Sequence, residues 1–165
     1  MIKLATYFNK MTKHGYQQIQ DEIKTLEKNR PGKIQALHDA AALGDRSENA
    51  EYSTSKRELH QLENRLRYFR KQEQYAEVVS SPKSDQVGIG SKVKVKFLED
   101  GDSDSFIIVG KQEAEFSKLE ENKIFYDSPL GKSLLHHQVG ETISVKAPEV
   151  NYKLKILEIS TTYGK

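Results

Sequence analysis

Gly44-Asp45-Arg46-Ser47-Glu48-Asn49-Ala50-Glu51-Tyr52 sets three carboxylates at a bend between two long runs of apolar residues spaced as in helices. Before the bend, the inward positions of a heptad pattern read Tyr16, Ile19, Ile23 and Leu26, then Ile34, Leu37 and Ala41. After it they read Tyr52, Ser55, Leu59, Leu62, Leu66, Phe69, Glu73 and Ala76. Steps of three and four sustained over this length predict two helices packed along one seam. The connection around Gly44 is too short for anything but an antiparallel hairpin. With a rise of 1.5 Å per residue, an arm of roughly thirty residues runs about 45 Å, longer than a small domain is wide. Such a pair is expected to project and to carry its charged bend to a site buried elsewhere.

Outward from the bend, Thr12 is the first plausible helix cap, and residues 1–10 read as a tail ahead of a hairpin spanning 11–79. Pro31-Gly32 interrupts the first arm, where proline removes a backbone donor and glycine adds backbone entropy, so a kink or a heptad stutter is expected there. The second arm runs from about Ser47 to Val79 without proline or glycine, and a linker over 80–90 follows, opening with Ser80-Ser81-Pro82-Lys83-Ser84. Beyond it the period becomes twofold. Val93, Val95 and Phe97 alternate with lysines, followed by Phe106-Ile107-Ile108-Val109, Ile124-Phe125-Tyr126, Ile143-Ser144-Val145 and Tyr152 to Leu157. Ser128-Pro129 places a cap before a proline at the first helical position and predicts a short helix through Leu135. Residues 91–165 are thus expected to form a small, mainly antiparallel sheet domain, which makes the whole chain α+β.

Composition narrows the classes. Of 165 residues, 36% are hydrophobic and 30% charged, which describes a water-soluble protein with a thin core and much solvated surface. No run is long and apolar enough to span a bilayer, and Leu4-Ala5-Thr6-Tyr7-Phe8 is too short for a signal peptide, so no membrane partner and a cytoplasmic location are expected. With no cysteine there is no disulfide or thiol chemistry, and the five histidines show no zinc-ligand spacing. The net charge of +2 neither demands nor excludes nucleic acid.

At the bend, Asp45, Glu48 and Glu51 follow one another at intervals of three. Asp-x-x-Glu is the pattern of a capping box, in which the aspartate accepts an amide of the new helix and the glutamate reaches back. The same two carboxylates are hard oxygen ligands suited to Mg²⁺. Two ligands do not make a cage; they complete the coordination of a metal held mainly by another protein. Both explanations fit the spacing.

The stretch from Leu43 to Tyr52 resembles the tip signature of the bacterial transcript cleavage factors GreA and GreB, and its Asp-Arg-Ser-Glu form resembles the GreB branch. Met11-Thr12, Gly15-Tyr16, Arg30-Pro31, Lys56-Arg57, Arg65 to Tyr68, Ile108-Val109-Gly110 and Ser128 to Gly131 fall in the order of that family, covering Met11 to Ile159. The resemblance implies a coiled-coil hairpin joined to an FKBP-like domain and bound to bacterial RNA polymerase; a monomer is expected, and the sequence itself leaves self-association open. It implies that the tip enters the polymerase's secondary channel, that Asp45 and Glu48 are the catalytic and metal-binding residues, and that the Mg²⁺ is shared with the polymerase active site and not held stably by this chain alone. The cut falls near the 3′ end of backtracked nascent RNA. The polymerase would remain the enzyme, this chain its removable elongation factor, and DNA would be met only through the elongation complex.

Two further groups stand out. At 100° per residue, Lys56, His60, Arg67 and Lys71 share one helix face, with Arg70 at its flank and Arg57 beside Lys56. Lys56, Arg57, Arg67 and Lys71 are therefore candidates for contact with extruded RNA phosphates, while Glu63 in the same stripe favours an ordinary solvated face. Glu58, His60 and Asn64 stand where the GreB branch tends to place cations. Asp127, Ser128 and Pro129 are a helix cap or, by the resemblance, a loop that docks on the polymerase. Two other classes stay open: a peptidyl-prolyl isomerase, disfavoured by the absence of tryptophan and the few scattered aromatics, and a channel blocker that supplies no metal ligand, kept conceivable by the cationic Arg46.

Overall fold

In a computed structural model, described for residues 9–44, 49–80, 82 and 85–161, the chain is an α+β protein with two compact units. One unit is Gln17–Tyr75, and the other combines Met1–Tyr16 with Ala76–Lys165.

The first unit is a helical hairpin. Helix α1 is Lys13–Ala41 and helix α2 is Ala50–Gln74. Ile19, Ile23, Leu26, Leu62, Leu66 and Phe69 of the heptad seam are buried, as burial of one apolar stripe requires of paired helices. Toward the bend the seam thins: Ile34, Leu37 and Leu59 are only half-buried, and Ala40 rather than Ala41 closes the contact. Polar links reinforce its flanks. Arg30 pairs with Glu63 at 2.8 Å, Lys33 with Glu58 at 3.2 Å, Arg65 with Glu22 at 3.0 Å and Arg70 with Glu27 at 2.7 Å. Early residues of α1 thus meet late residues of α2, the arrangement of an antiparallel pair. Helix α1 continues through Pro31 and Gly32 without a break.

The ends of the hairpin depart from the heptad reading. Residues Ala76–Val78 form a strand, β2, and not the last turn of α2, while Asn9–Met11 form β1. The two pair in parallel, from Asn9 with Ala76 to Met11 with Val78. Strands of three residues carry too little alternation to announce themselves, and parallel pairing across the whole hairpin is invisible to local patterns. The tail expected over 1–10 therefore contributes Asn9 and Lys10 to a sheet; residues 1–8 lie outside the described chain.

The second unit is built on a five-stranded sheet. Its strands are β3 (Ser91–Phe97), β4 (Ser103–Val109), β5 (Lys123–Phe125), β6 (Thr142–Lys146) and β7 (Asn151–Thr161), in the order β5-β4-β3-β7-β6. Three of the pairings are antiparallel, and β4 with β5 is parallel, so the sheet is mixed. Parallel neighbours need a crossover. Helix α3 (Lys111–Phe116) and a 3₁₀ turn (Leu119–Glu121) supply it, and neither was legible from periodicity. Val93, Val95, Ile108, Val145, Leu154 and Ile156 are fully buried beneath Leu134 of helix α4 (Pro129–Leu134), giving this unit one continuous apolar core. Their partners Lys92, Lys94 and Lys96 point to water, the one-sided alternation of an antiparallel face.

A buried carboxylate ties the entry of α1 into this unit. Glu113 of α3 is 1% exposed, accepts the Thr12 hydroxyl, lies 3.1 Å from His14 Nδ1 and 3.6 Å from Lys123 Nζ. Thr12 in turn caps α1, its Oγ1 accepting the Gly15 amide at 3.0 Å. Burying a charge is tolerated only with such partners.

Candidate functional site

One described side chain links the end of α1 to the start of α2. Asn49 is the N-cap of α2, with extended backbone and its Oδ1 accepting the Tyr52 amide at 3.0 Å. Its Nδ2 donates to the Ala40 carbonyl of α1 at 2.7 Å. One amide therefore satisfies an orphan donor at the start of α2 and an acceptor at the end of α1. Around it the small residues Ala36, Ala40 and Ala50 let the helix ends approach, leaving a shallow groove of about 530 Å³ also lined by Asp39, Leu43, Glu51, Thr54 and Ser55.

This geometry corrects one expectation. The capping task that the Asp45-x-x-Glu48 spacing suggested is performed by Asn49, and α2 begins at Ala50 rather than near Ser47. Asparagine is among the best N-cap residues, so the signal was present, masked by the apparent box before it. Asp45 and Glu48 themselves lie outside the described residues. Glu51 sits in the first turn of α2, where a carboxylate suits the helix dipole. Among the described residues, no group of three or more histidines and acids is arranged to hold a metal.

The basic residues fall into two sets. Arg67 and Lys71 come together with Glu63, Arg70 and Gln74 of α2, its C-cap Tyr75 and Arg30 of α1 around an open groove of about 650 Å³. Arg30 was not anticipated, because it comes from the other arm. Arg70 and Glu63 are engaged with Glu27 and Arg30, whereas Arg67 makes a bond to neutral Asn64 at 2.8 Å. Lys56 and Arg57 are exposed on α2, about 15 Å nearer the bend by helical rise.

In the sheet unit, Ser128 caps α4 through a 3.1 Å bond from the Gly131 amide, Pro129 occupies the first turn, and Asp127 pairs with Lys132 at 3.5 Å. A Cβ at Gly131 would run into the Phe125 and Tyr126 carbonyls, so only glycine fits. Beside it, burial pushes the Tyr126 hydroxyl above its ordinary range. Among the described residues, no helix is long and apolar enough to cross a membrane.

An antiparallel helical hairpin followed by a mixed-sheet unit defines the class of protein: a two-part α+β factor with its charged bend at one end of the hairpin. Residues 9–78 match the family model described as transcription elongation factor, N-terminal, and residues 81–161 match that of transcription elongation factor, GreA/GreB, C-term. The chain is 49% identical to transcription elongation factor GreA 1 of Lactiplantibacillus plantarum, over 92% of this chain and 96% of that one. It is 35% identical to GreA of Thermodesulfovibrio yellowstonii, over 91% and 95%. Among solved structures, that of GreA factor homolog 1 (Gfh1) of Thermus thermophilus aligns with a TM-score of 0.43 at 23% identity, over 93% of this chain and 99% of that one. The chain belongs to the GreA/GreB family of transcription elongation factors, transcript cleavage factors that act on RNA polymerase and stimulate its own cleavage activity. Both relatives carry the GreA name, so the leaning toward the GreB branch read from Asp-Arg-Ser-Glu gives way to a GreA placement.

Proposed function

We propose that this chain works by carrying Asp45 and Glu48 into the secondary channel of RNA polymerase, where the two carboxylates complete the coordination of a Mg²⁺ shared with the polymerase active site. The observation that carries this reading is the cap at Asn49, whose Oδ1 takes the Tyr52 amide and so performs the capping task that the Asp-x-x-Glu spacing offered as the other explanation of the two acids. Their chemistry fits, since carboxylate oxygens are the ligands Mg²⁺ prefers and a pair is enough only where another protein supplies the rest. When bound, the ion stabilises the attacking and leaving oxygens of a phosphodiester displacement in nascent RNA. What this chain's residues do is hold negative oxygen at the end of a two-helix arm, while its partners are the polymerase and the extruded RNA 3′ end, with DNA reached only through the elongation complex.

Arg67 and Lys71, extended by Lys56 and Arg57 nearer the bend, form a basic track suited to RNA phosphates. Asp127, Ser128 and Pro129 present an exposed corner on a rigid cap and serve as the docking edge of the sheet unit. The chain is proposed to act as a monomer in the cytoplasm.

Asp45→Ala and Glu48→Ala test the metal reading in transcript-release assays on stalled complexes. Stimulated cleavage is expected to fall by at least about 100-fold, in the range of losing a group that stabilises developing charge. Polymerase affinity and melting temperature should stay near wild type. Wild-type cleavage by either variant contradicts the reading, as does RNA hydrolysis by the chain alone in Mg²⁺.

A further inference from the structure

The bridge made by Asn49 exceeds what helix capping requires. A cap needs one acceptor for an amide of the first turn, and serine, threonine or aspartate supplies it as well as asparagine does. Asparagine differs from aspartate in carrying a donor, and from serine and threonine in placing that donor on an atom separate from the acceptor and farther along the side chain. Here that donor is used: Nδ2 reaches the Ala40 carbonyl at 2.7 Å, while Oδ1 takes the Tyr52 amide at 3.0 Å. The same Ala40 carbonyl accepts the Leu43 amide at 3.2 Å, and Ala42 closes on His38 at 3.2 Å, so the last turn of α1 is tightened where the bridge lands. Ala40 is 4% exposed and offers no side chain that could take over the link. Among the described residues, the cross-hairpin ion pair nearest to it, Lys33 with Glu58, lies several residues down both helices.

We propose that Asn49 is a positioning residue for stimulated RNA cleavage, its amide fixing the separation of the two helix ends that deliver Asp45 and Glu48. This rests on the reading of those two acids as metal ligands. A cap alone would leave the ends freer to splay, because the large apolar residues of the seam nearest the bend, Ile34, Leu37 and Leu59, are only half-buried. Ligand sets tolerate little of that, since displacement by about 1 Å can cost on the order of 100-fold in rate.

The two functions of the amide separate by substitution. Asn49→Ser and Asn49→Asp keep an acceptor for Tyr52 and lose the separate Nδ2 donor that reaches Ala40, the serine hydroxyl being too short to span both partners; Asn49→Ala loses both. Circular dichroism and melting should place the serine and aspartate variants close to wild type, with Asn49→Ala lower by roughly 2–4 °C. On stalled polymerase complexes at saturating factor, all three should cleave about tenfold more slowly or worse, with affinity for polymerase within about twofold and a higher Mg²⁺ concentration needed for half-maximal rate. A cap-only role would instead spare the serine and aspartate variants. The inference is overturned if Asn49→Ser reaches the wild-type maximal rate, or if its defect lies in affinity with the rate at saturation unchanged. Asp45→Asn, run alongside, separates the two layers: wild-type cleavage by that variant defeats the metal reading itself, whereas a dead Asp45→Asn beside a fully active Asn49→Ser defeats only the positioning role.

Discussion

The hairpin and strands β3 and β7 of the sheet unit handle their cationic side chains differently. In the hairpin, Arg30, Lys33, Arg65 and Arg70 each reach across to a glutamate of the other helix. On the sheet, Lys92, Lys94, Lys96, Lys153 and Lys155 are exposed and form no ion pair with a described carboxylate. The reason is core thickness. Strands β3 to β7 enclose a continuous apolar cluster under α4, whereas two helices alone share only one seam, whose rims take up charged side chains. A basic stripe on a two-helix arm therefore mixes residues that hold the arms together with residues free to meet a partner, and sequence spacing does not sort them.

Core deletions probe this contrast most strongly. Leu154→Ala, at the fully buried centre of the sheet, should cost about 3–4 kcal/mol in chemical denaturation, while Leu59→Ala on the half-buried seam should cost about 1 kcal/mol. Equal losses would mean that the hairpin is as well packed as the sheet. The sorting of the stripe is tested next. Reversing Arg67 and Lys71 to glutamate should slow cleavage about tenfold in deeply backtracked complexes, spare shallow ones, and reduce the salt slope by about 1.4 for two lost phosphate contacts. Arg70→Glu places a second acid beside Glu27 and should act mainly through stability. Equal defects at all backtracking depths would assign Arg67 and Lys71 to polymerase docking. The smallest effect belongs to the flanking pairs: Arg30→Ala or Lys33→Ala should each cost under about 1 kcal/mol, because exposed pairs are screened by water and salt.

What was legible in the sequence follows the same division. Ile19 to Leu26 and Leu62 to Phe69 repeat for long enough to declare a seam, and Val93-Val95 or Ile143-Val145 alternate cleanly because one face is buried. The serine cap and proline of α4 were readable because the chemistry is local. Helix α3 was not: its cap is Gly110, with no side-chain bond to advertise it, and Glu113 within it looks like any surface acid until Thr12, His14 and Lys123 fold around it. Pairing of β1 with β2 joins residues from opposite ends of the hairpin, which no local window contains. At the bend, spacing alone leaves open whether Asp45 caps the new helix or serves another purpose; the cap is Asn49, while Asp45 and Glu48 lie outside the described residues. Arg30 was missed among the basic residues because a single-helix wheel cannot see across the seam.

That Asp45 and Glu48 complete a metal site in trans is tested most directly by the Mg²⁺ dependence of RNA cleavage in a stalled polymerase complex, measured with no factor, with saturating wild-type chain and with saturating Asp45→Asn. Wild type should move the half-maximal Mg²⁺ concentration down by about tenfold or more, the effect of adding a carboxylate ligand, and Asp45→Asn at equal occupancy should leave it near the factor-free value. Identical Mg²⁺ curves for wild type and Asp45→Asn, both shifted from the factor-free complex, would show that the carboxylates are not metal ligands.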